Sequence, residues 1–266
     1  MKKLLSVLLM AAMMGAMLIG CTPESPAATD WDYIKNKNDW VVGITLYEPM
    51  NYYDENGKLI GFDTELAEAV SDIVDVPFKF QEIEWDQKEV ELKSRAIDCI
   101  WNGLTVTEER KANMAFSKSY VVNEQVVVIN KANADKFKSL ADMDGIKVCA
   151  ESGSAGESAI EADAHLSTGK YLGTSAQKDA LLEVKAGTCD AAVLDLTLAK
   201  AVITEDTDYS DLMILEGASL QSEEYAIGFR LEDTKTVEIV NNAIDQLIAN
   251  GKLAELGEKY GVDVIK

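Results

Sequence analysis

Past its first few dozen residues the chain alternates compact apolar runs with stretches in which apolar positions recur every three or four residues. Trp40-Val41-Val42-Gly43-Ile44 is an unbroken apolar run and reads as a buried strand, while Phe78-Lys79-Phe80-Gln81-Glu82-Ile83 alternates with period two. Between them Phe62-Asp63-Thr64-Glu65-Leu66-Ala67-Glu68-Ala69-Val70 opens a helix, with Asp63 as its N-cap and Leu66, Ala67 and Val70 on one stripe. Val76-Pro77 ends the unit. Strand, helix, strand at this spacing is a βαβ crossover, so the pattern predicts a mainly parallel sheet. It continues with a helix over 88–94 and strands over 97–101 and 125–130. A second set follows: strand 146–150, helix 155–164, strand 170–173, helix 177–186, strand 191–194. A strand over 226–230 and helices over 234–250 and 253–260 close the chain.

Two α/β sets predict two lobes, with polar junctions near 130–133 and 221–224. Lobe 1 is expected to hold 38–130 and 223–266, and lobe 2 to hold 131–222. A chain that crosses over and returns makes a two-strand hinge, an arrangement suited to closure around a ligand.

The start of the chain changes the picture. Lys2 and Lys3 lead into an uncharged apolar run from Leu4 to Ile19, a basic segment followed by a core slightly short for a bilayer span. It ends at Leu18-Ile19-Gly20-Cys21, which resembles the lipobox of bacterial lipoproteins. That resemblance implies a signal peptide over 1–20, lipidation of Cys21, and a proline-bearing tether over 21–37. An uncleaved anchor helix or a plain secretory signal are the alternatives.

The formal charge is −21, and removing Lys2 and Lys3 with a leader makes it −23, a field that repels nucleic acid. Of the remaining cysteines, Cys99, Cys149 and Cys189 form no CxxC pair and read as buried thiols, although Cys149 and Cys189 could bridge. His165, the single histidine, lies in a polar stretch and reads as a surface residue; no metal site is expected.

The sequence carries no GxGxxG after a strand, no Walker loop, no nucleophile elbow and no HExxH. It does carry an ordered series of short segments: Tyr47-Glu48-Pro49-Met50, then Asp54-Glu55-Asn56-Gly57 through Gly61-Phe62-Asp63. Next come Ala96-Ile97-Asp98 and Trp101-Asn102-Gly103-Leu104-Thr105-Val106-Thr107-Glu108-Glu109-Arg110. Phe116-Ser117 with Tyr120, Ser152-Gly153-Ser154, and Asp190-Ala191-Ala192-Val193-Leu194-Asp195 complete it. In order and spacing, over roughly 40–266, the series resembles the family 3 extracellular solute-binding proteins, the polar amino acid receptors of ABC importers. The resemblance implies an α/β, two-lobed periplasmic-binding-protein type II fold, two mainly parallel sheets joined by a two-strand hinge. It also implies a monomer without cofactor, partnered by a free amino acid, by permease and ATPase subunits, and by the membrane through Cys21.

A zwitterion presents a carboxylate and an ammonium, both costly to bury unpaired. Arg110 matches the family's carboxylate-binding arginine, whose planar guanidinium can hold a carboxylate through two parallel hydrogen bonds. By the same resemblance Gly103 and Thr105 add a backbone N–H and a hydroxyl, and Ser154 with Ala155 adds donors from lobe 2. Asp195 matches the acid that receives the α-ammonium, at the end of a strand where α/β ligands sit; Asp195 and Ser154 equally suit helix N-caps. Tyr47 and Trp85 match positions flanking the ligand side chain, and Asn102 a wall position whose backbone meets the ammonium. Glu48 and Glu151 are further candidates: an acid at 151 favours a donor-bearing side chain such as arginine, lysine or glutamine, and both residues also suit solvated rim charges. Trp101 reads as core, and Gly61, Phe62, Asp63, Asp98 and Phe116-Ser117 as structural.

Two other functions stay open: a dehydratase on this scaffold with Glu151 as general acid, and an amino-acid sensor or adhesin with no transport role.

Overall fold

The computed structural model describes residues 29–265. The leader 1–20, the lipidation site Cys21 and tether residues 22–28 lie outside the described residues. No helix among the described residues is long and apolar enough to cross a membrane.

The chain begins with α1 (Asp30–Lys37), then β1 (Trp40–Ile44), a small hairpin of β2 (Tyr52–Tyr53) and β3 (Leu59–Ile60), α2 (Phe62–Val74) and β4 (Phe78–Glu82). After a 3₁₀ turn at Trp85–Gln87 come α3 (Lys88–Lys93), β5 (Cys99–Ile100), α4 (Glu108–Asn113) and β6 (Ala115–Phe116). The next stretch holds β7 (Val121–Asn130), β8 (Lys147–Glu151), α5 (Ala155–Ala162), β9 (Lys170–Thr174), α6 (Gln177–Lys185), β10 (Ala191–Asp195), α7 (Leu196–Val202) and β11 (Leu212–Tyr225). The chain closes with β12 (Gly228–Phe229), α8 (Thr234–Ala249) and α9 (Lys252–Tyr260).

Two five-stranded sheets result, ordered β4-β1-β5-β12-β6 and β11-β7-β10-β8-β9. In the first, β1 runs parallel to β4 and β5 while β12 is antiparallel to β5 and β6. In the second, β8 runs parallel to β9 and β10, and β7 is antiparallel to β10 and β11. One reversed strand in each sheet leaves the fold α/β and mainly parallel. All five residues of β1 are buried, as an uninterrupted apolar run requires when both faces are covered. Trp40 stacks on Phe78 with ring centroids 4.6 Å apart and meets the edge of Trp31 at 5.7 Å.

The crossings between sheets fall at 117–120 and 226–227, the first ten or more residues before the expected junction near 130–133 and the second just past that near 221–224. Ser117 N donates to Ile227 O (2.9 Å) and Tyr120 N to Tyr225 O (3.0 Å), so the two crossing segments are bonded to each other. The strand expected in lobe 1 over 125–130 belongs to the second sheet instead. β7 is longer than its apolar core, starting at Val121, and pairs along its length with β11. β11 itself escaped the pattern because Glu216, Gln221, Glu223 and Glu224 interrupt its apolar residues.

The expected tether is too long. Residues 30–37 form α1, fixed by a capping box at Thr29 and by Trp31 and Ile34 buried beneath it. Asp30 in turn accepts the Thr236 N–H (2.7 Å) at the start of α8, whose own N-cap residue Asp233 faces the Arg230 guanidinium at 2.8 Å. The N-cap of α2 is Gly61, and Asp63 sits in the first turn with its carboxyl buried for another purpose described below. Asp98 does more than cap a turn: it accepts from Val41 N (2.9 Å) and Lys37 Nζ (2.7 Å) and lies 3.7 Å from Arg230 Nη2. Cys99, Cys149 and Cys189 are free buried thiols, Trp101 is core, and His165 lies at the surface 2.9 Å from Asp144.

Removing the buried carboxylate of Asp98 leaves Lys37 and the Val41 N–H without their acceptor. Asp98→Ala should lower unfolding free energy by about 3 kcal/mol, measured by urea denaturation at pH 7; a loss under about 0.5 kcal/mol would contradict this role.

Candidate functional site

The ends of β5, β8 and β10 and the hinge strands β7 and β11 converge on a cleft between the lobes, and an unusual number of charges is buried there. Arg110, Lys88, Glu151, Asp195 and Glu223 are each at most 8% exposed.

Arg110 sits on α4, whose N-cap Thr107 accepts the Arg110 N–H at 3.1 Å. Its Nη1 donates to Thr105 O (2.9 Å) within its own lobe, and Nη2 donates to Gly153 O (3.1 Å) in the other. Lys88, at the start of α3, donates to the same Gly153 oxygen (2.9 Å) and to Trp85 O (3.1 Å), with its Nζ 4.8 Å from the centre of the Trp85 ring. One carbonyl of the second lobe therefore receives two cations from the first. Gly153 permits the approach because its φ is +71° and a Cβ there would lie 3.1 Å from Asp86 Cα. Burial pushes the Lys88 ammonium down to about 8, with repulsion from Arg110 adding to the fall. Burial likewise lowers the Arg110 guanidinium, against attraction from Glu223 and Asp195.

Asp195 faces this pair from the second lobe, at the end of β10 and the head of α7. Its Oδ1 accepts from Asn123 Nδ2 (2.7 Å) and Gln125 Nε2 (2.6 Å), and its Oδ2 from the Gln177 amide. It makes no side-chain cap bond to α7, so the N-cap alternative is not what holds the carboxylate. Glu223 of β11 shares both amides, accepting from Asn123 (2.7 Å) and Gln125 (2.9 Å), and also takes the Thr105 hydroxyl (3.0 Å). Burial and the neighbouring Asp195 carboxylate raise the Glu223 carboxyl well above the usual range. A continuous path thus runs from Arg110 through Thr105, Glu223 and the two amides to Asp195.

Glu151 ends β8 two residues before Gly153. Burial pushes its carboxyl up to about 8 and Asp195 adds to the rise, while Lys88 and Arg110 draw it down. Tyr47 and Tyr225 meet hydroxyl to hydroxyl at 2.7 Å on the hinge side. Trp85 is buried at the opposite end, beside a pocket of about 140 Å³ that Asp86, Ser152 and Thr174 also line.

Several expected roles shift. The Gly103 N–H does not face the cleft as a free donor, because it is committed to Asp63 Oδ2 at 2.7 Å. Gly103 is required by geometry: its φ is +57°, and a Cβ would come within 2.5 Å of the Tyr47 ring. The Thr105 hydroxyl is engaged by Glu223, and its carbonyl orients Arg110. The Asn102 side chain turns into lobe 1, donating to Thr45 (2.6 Å) and accepting from Asn51 (2.7 Å). Ser154 is the N-cap of α5, its hydroxyl accepting Glu157 N at 3.1 Å, with Ala155 buried behind it. Glu48 forms a rim ion pair across the lobes with Lys178 (2.7 Å), about a third exposed on both sides and worth roughly 0–1 kcal/mol.

Lys88, Asn123, Gln125, Gln177, Glu223 and Tyr225 were missed. The signal for two of them was present: in β7 the polar Asn123 and Gln125 occupy the same parity as Val121 and Val127, the face that is buried.

Comparison with known proteins decides the family. Residues 41–263 match the model of bacterial extracellular solute-binding proteins, family 3. The chain belongs to that family. The "Probable amino-acid-binding protein YxeM" of Bacillus subtilis is 32% identical over 261 residues, covering 96% of this chain and 94% of its own. The arginine-binding extracellular protein ArtP of the same organism is 28% identical, covering 98% of both chains. Among solved structures, an ABC uptake transporter substrate-binding protein from Streptococcus pneumoniae with bound histidine aligns with a TM-score of 0.80 and 31% identity. That alignment covers 89% of this chain and 98% of the other. These neighbours carry the type II periplasmic-binding-protein fold.

The Glu151 carboxyl holds its proton in the folded chain over a pH range in which an unfolded glutamate has lost it. Its burial therefore costs stability progressively as pH rises from the ordinary value of 4.5 to about 8, and no further above that. Relative to the wild-type chain, Glu151→Gln should gain on the order of 2–4 kcal/mol between pH 5 and pH 8, read from denaturation midpoints at both pH values. A constant difference between the two proteins would contradict it.

Proposed function

We propose that this family 3 member is the extracytoplasmic receptor of an ABC importer, and that it captures a free polar amino acid between its lobes without transforming it. The observation that carries the reading is the placement of Arg110 and Asp195 on opposite lobes of one cleft, tied by the Thr105–Glu223–Gln125 path. A guanidinium offers five N–H donors, and Thr105 and Gly153 engage two of the nitrogens. The remainder suit the α-carboxylate. Asp195 is oriented by three amide donors, and its remaining acceptor capacity suits the α-ammonium.

Holding one end of the zwitterion from each lobe gives the closed arrangement its differential affinity, which is the thermodynamic condition for ligand-driven closure. The excess of buried acids over buried bases suits a side chain that carries donors, as in arginine, lysine or glutamine; the histidine in the pneumococcal protein and the arginine in the name of ArtP support an amino acid as ligand class. The permease and ATPase partners follow from the family reading; the lipobox resemblance adds a lipid anchor on Cys21 that would hold the receptor to the cell membrane, at its periplasmic or outer face.

One observation favours a second reading. A carboxyl that stays protonated near neutral pH, as Glu151 does, is suited to general acid catalysis in a dehydratase. Product formation from prephenate-like acids would establish it.

Thermal shift against the common amino acids should show one compound adding roughly 2.7 kcal/mol of stability at a hundredfold over its Kd. Arg110→Ala should weaken that compound about 100-fold, matching the ~3 kcal/mol of a buried charged contact; unchanged affinity would overturn the assignment.

A further inference from the structure

Two acids share one pair of donors where β10, β7 and β11 lie side by side. Asn123 Nδ2 is 2.7 Å from Asp195 Oδ1 and 2.7 Å from Glu223 Oε1, and Gln125 Nε2 is 2.6 and 2.9 Å from the same two oxygens. Each acid is 6% exposed. Glu223 Oε1 also takes the Thr105 hydroxyl, so one oxygen receives three donors, while the buried Oε2 is reached by none among the described residues. The Arg110 guanidinium is spent on the carbonyls of Thr105 and Gly153 and makes no ion pair with either acid. Two buried carboxyls bridged this closely do not both ionise without a cation in contact. Burial and the Asp195 charge accordingly raise the Glu223 carboxyl.

We propose that before an amino acid binds, Asp195 and Glu223 hold one proton between them, and that the arriving α-ammonium expels it to solvent. The inference rests on the amino-acid-receptor reading and adds its proton balance. The proton leaves Glu223 Oε2, and the freed oxygen becomes an acceptor for the ammonium beside Asp195. The pair passes from one negative charge to two while the ligand brings one positive charge, so the charge at this end of the cleft is conserved. A cation in contact favours the ionised form, and Arg110 stands too far off to do the same. Because a proton is released, capture tightens as pH rises until the pair is ionised without help. Other groups face the pair. Tyr47 and Tyr225 are kept neutral by burial. Arg110 on α4 and Glu151 on β8 act on it, and Lys88 on α3 acts on both of those, so the test must isolate Glu223.

Isothermal titration of the purified chain with arginine and with glutamine does so, since neither side chain titrates near neutral pH. Heats compared in phosphate and in imidazole buffer count the protons exchanged. The wild-type chain should release at least about half a proton per amino acid bound, with a Kd that falls about fivefold from pH 6 to pH 7. Glu223→Gln should release none, and its Kd should hold within about twofold over the same range. Should that variant fail to fold, infrared difference spectra of the wild-type chain and of Glu151→Gln give the answer: the C=O band of a protonated carboxyl loses intensity on amino-acid addition in both. Binding without proton release, release that persists in Glu223→Gln, or a carboxyl band unchanged in either chain would overturn the inference with the receptor reading intact. Binding of neither amino acid would bring down the donor-bearing ligand assigned to the receptor, and this inference with it.

Discussion

The carbonyl oxygen of Gly153 receives the Arg110 guanidinium and the Lys88 ammonium, and the arrangement of the cleft follows from that double contact. Two cations drawn out of water by the meeting of the lobes are tolerable only with acceptors and counter-charges at hand. The acceptors are the carbonyls of Thr105, Trp85 and Gly153; the counter-charge comes from Asp195 on the Arg110 side and from Glu89 and Asp86 on the Lys88 side. Replacing Gly153 with any larger residue would press a Cβ toward Asp86 and move the carbonyl, so the point of contact between lobes and the point of charge balance are the same few atoms.

The hinge contributes to the same economy of charge. β7 begins just after one crossing and β11 ends just before the other, and they carry Asn123, Gln125 and Glu223 buried, so the strands that adjoin the crossings also line the site. The shared amides keep two buried carboxylates, Asp195 and Glu223, side by side, at the expense of a raised proton affinity on Glu223. Beneath the floor of the cleft, Asp63 holds the Gly103 N–H, with burial pushing its carboxyl up to about 7. Polar groups that look like ligand contacts in sequence are in part scaffold, and residues that look like scaffold are in part contacts.

That exchange explains what could be read from the residue string. The sheets were legible because β1, β8 and β10 are apolar runs with both faces covered, and the family series singled out Arg110 and Asp195, which are both buried and joined by one hydrogen-bonded path. β11 was not legible, since its inner face is polar where it lines the site and apolar only toward its ends. Lys88 stands in the acidic stretch between Glu82 and Glu91, which by composition is a solvated helix; only the return of the chain through Gly153 buries it. Nothing local distinguishes a lysine destined for water from one that a segment 65 residues away will cover.

The central claim is that one small zwitterion spans Arg110 and Asp195. A crystal structure of the protein with its tightest-binding amino acid tests it most directly: the account requires the α-carboxylate on the Arg110 guanidinium and the α-ammonium on the Asp195 carboxylate, each at hydrogen-bond distance. A ligand seated with either end on other groups, or outside the cleft altogether, would contradict it.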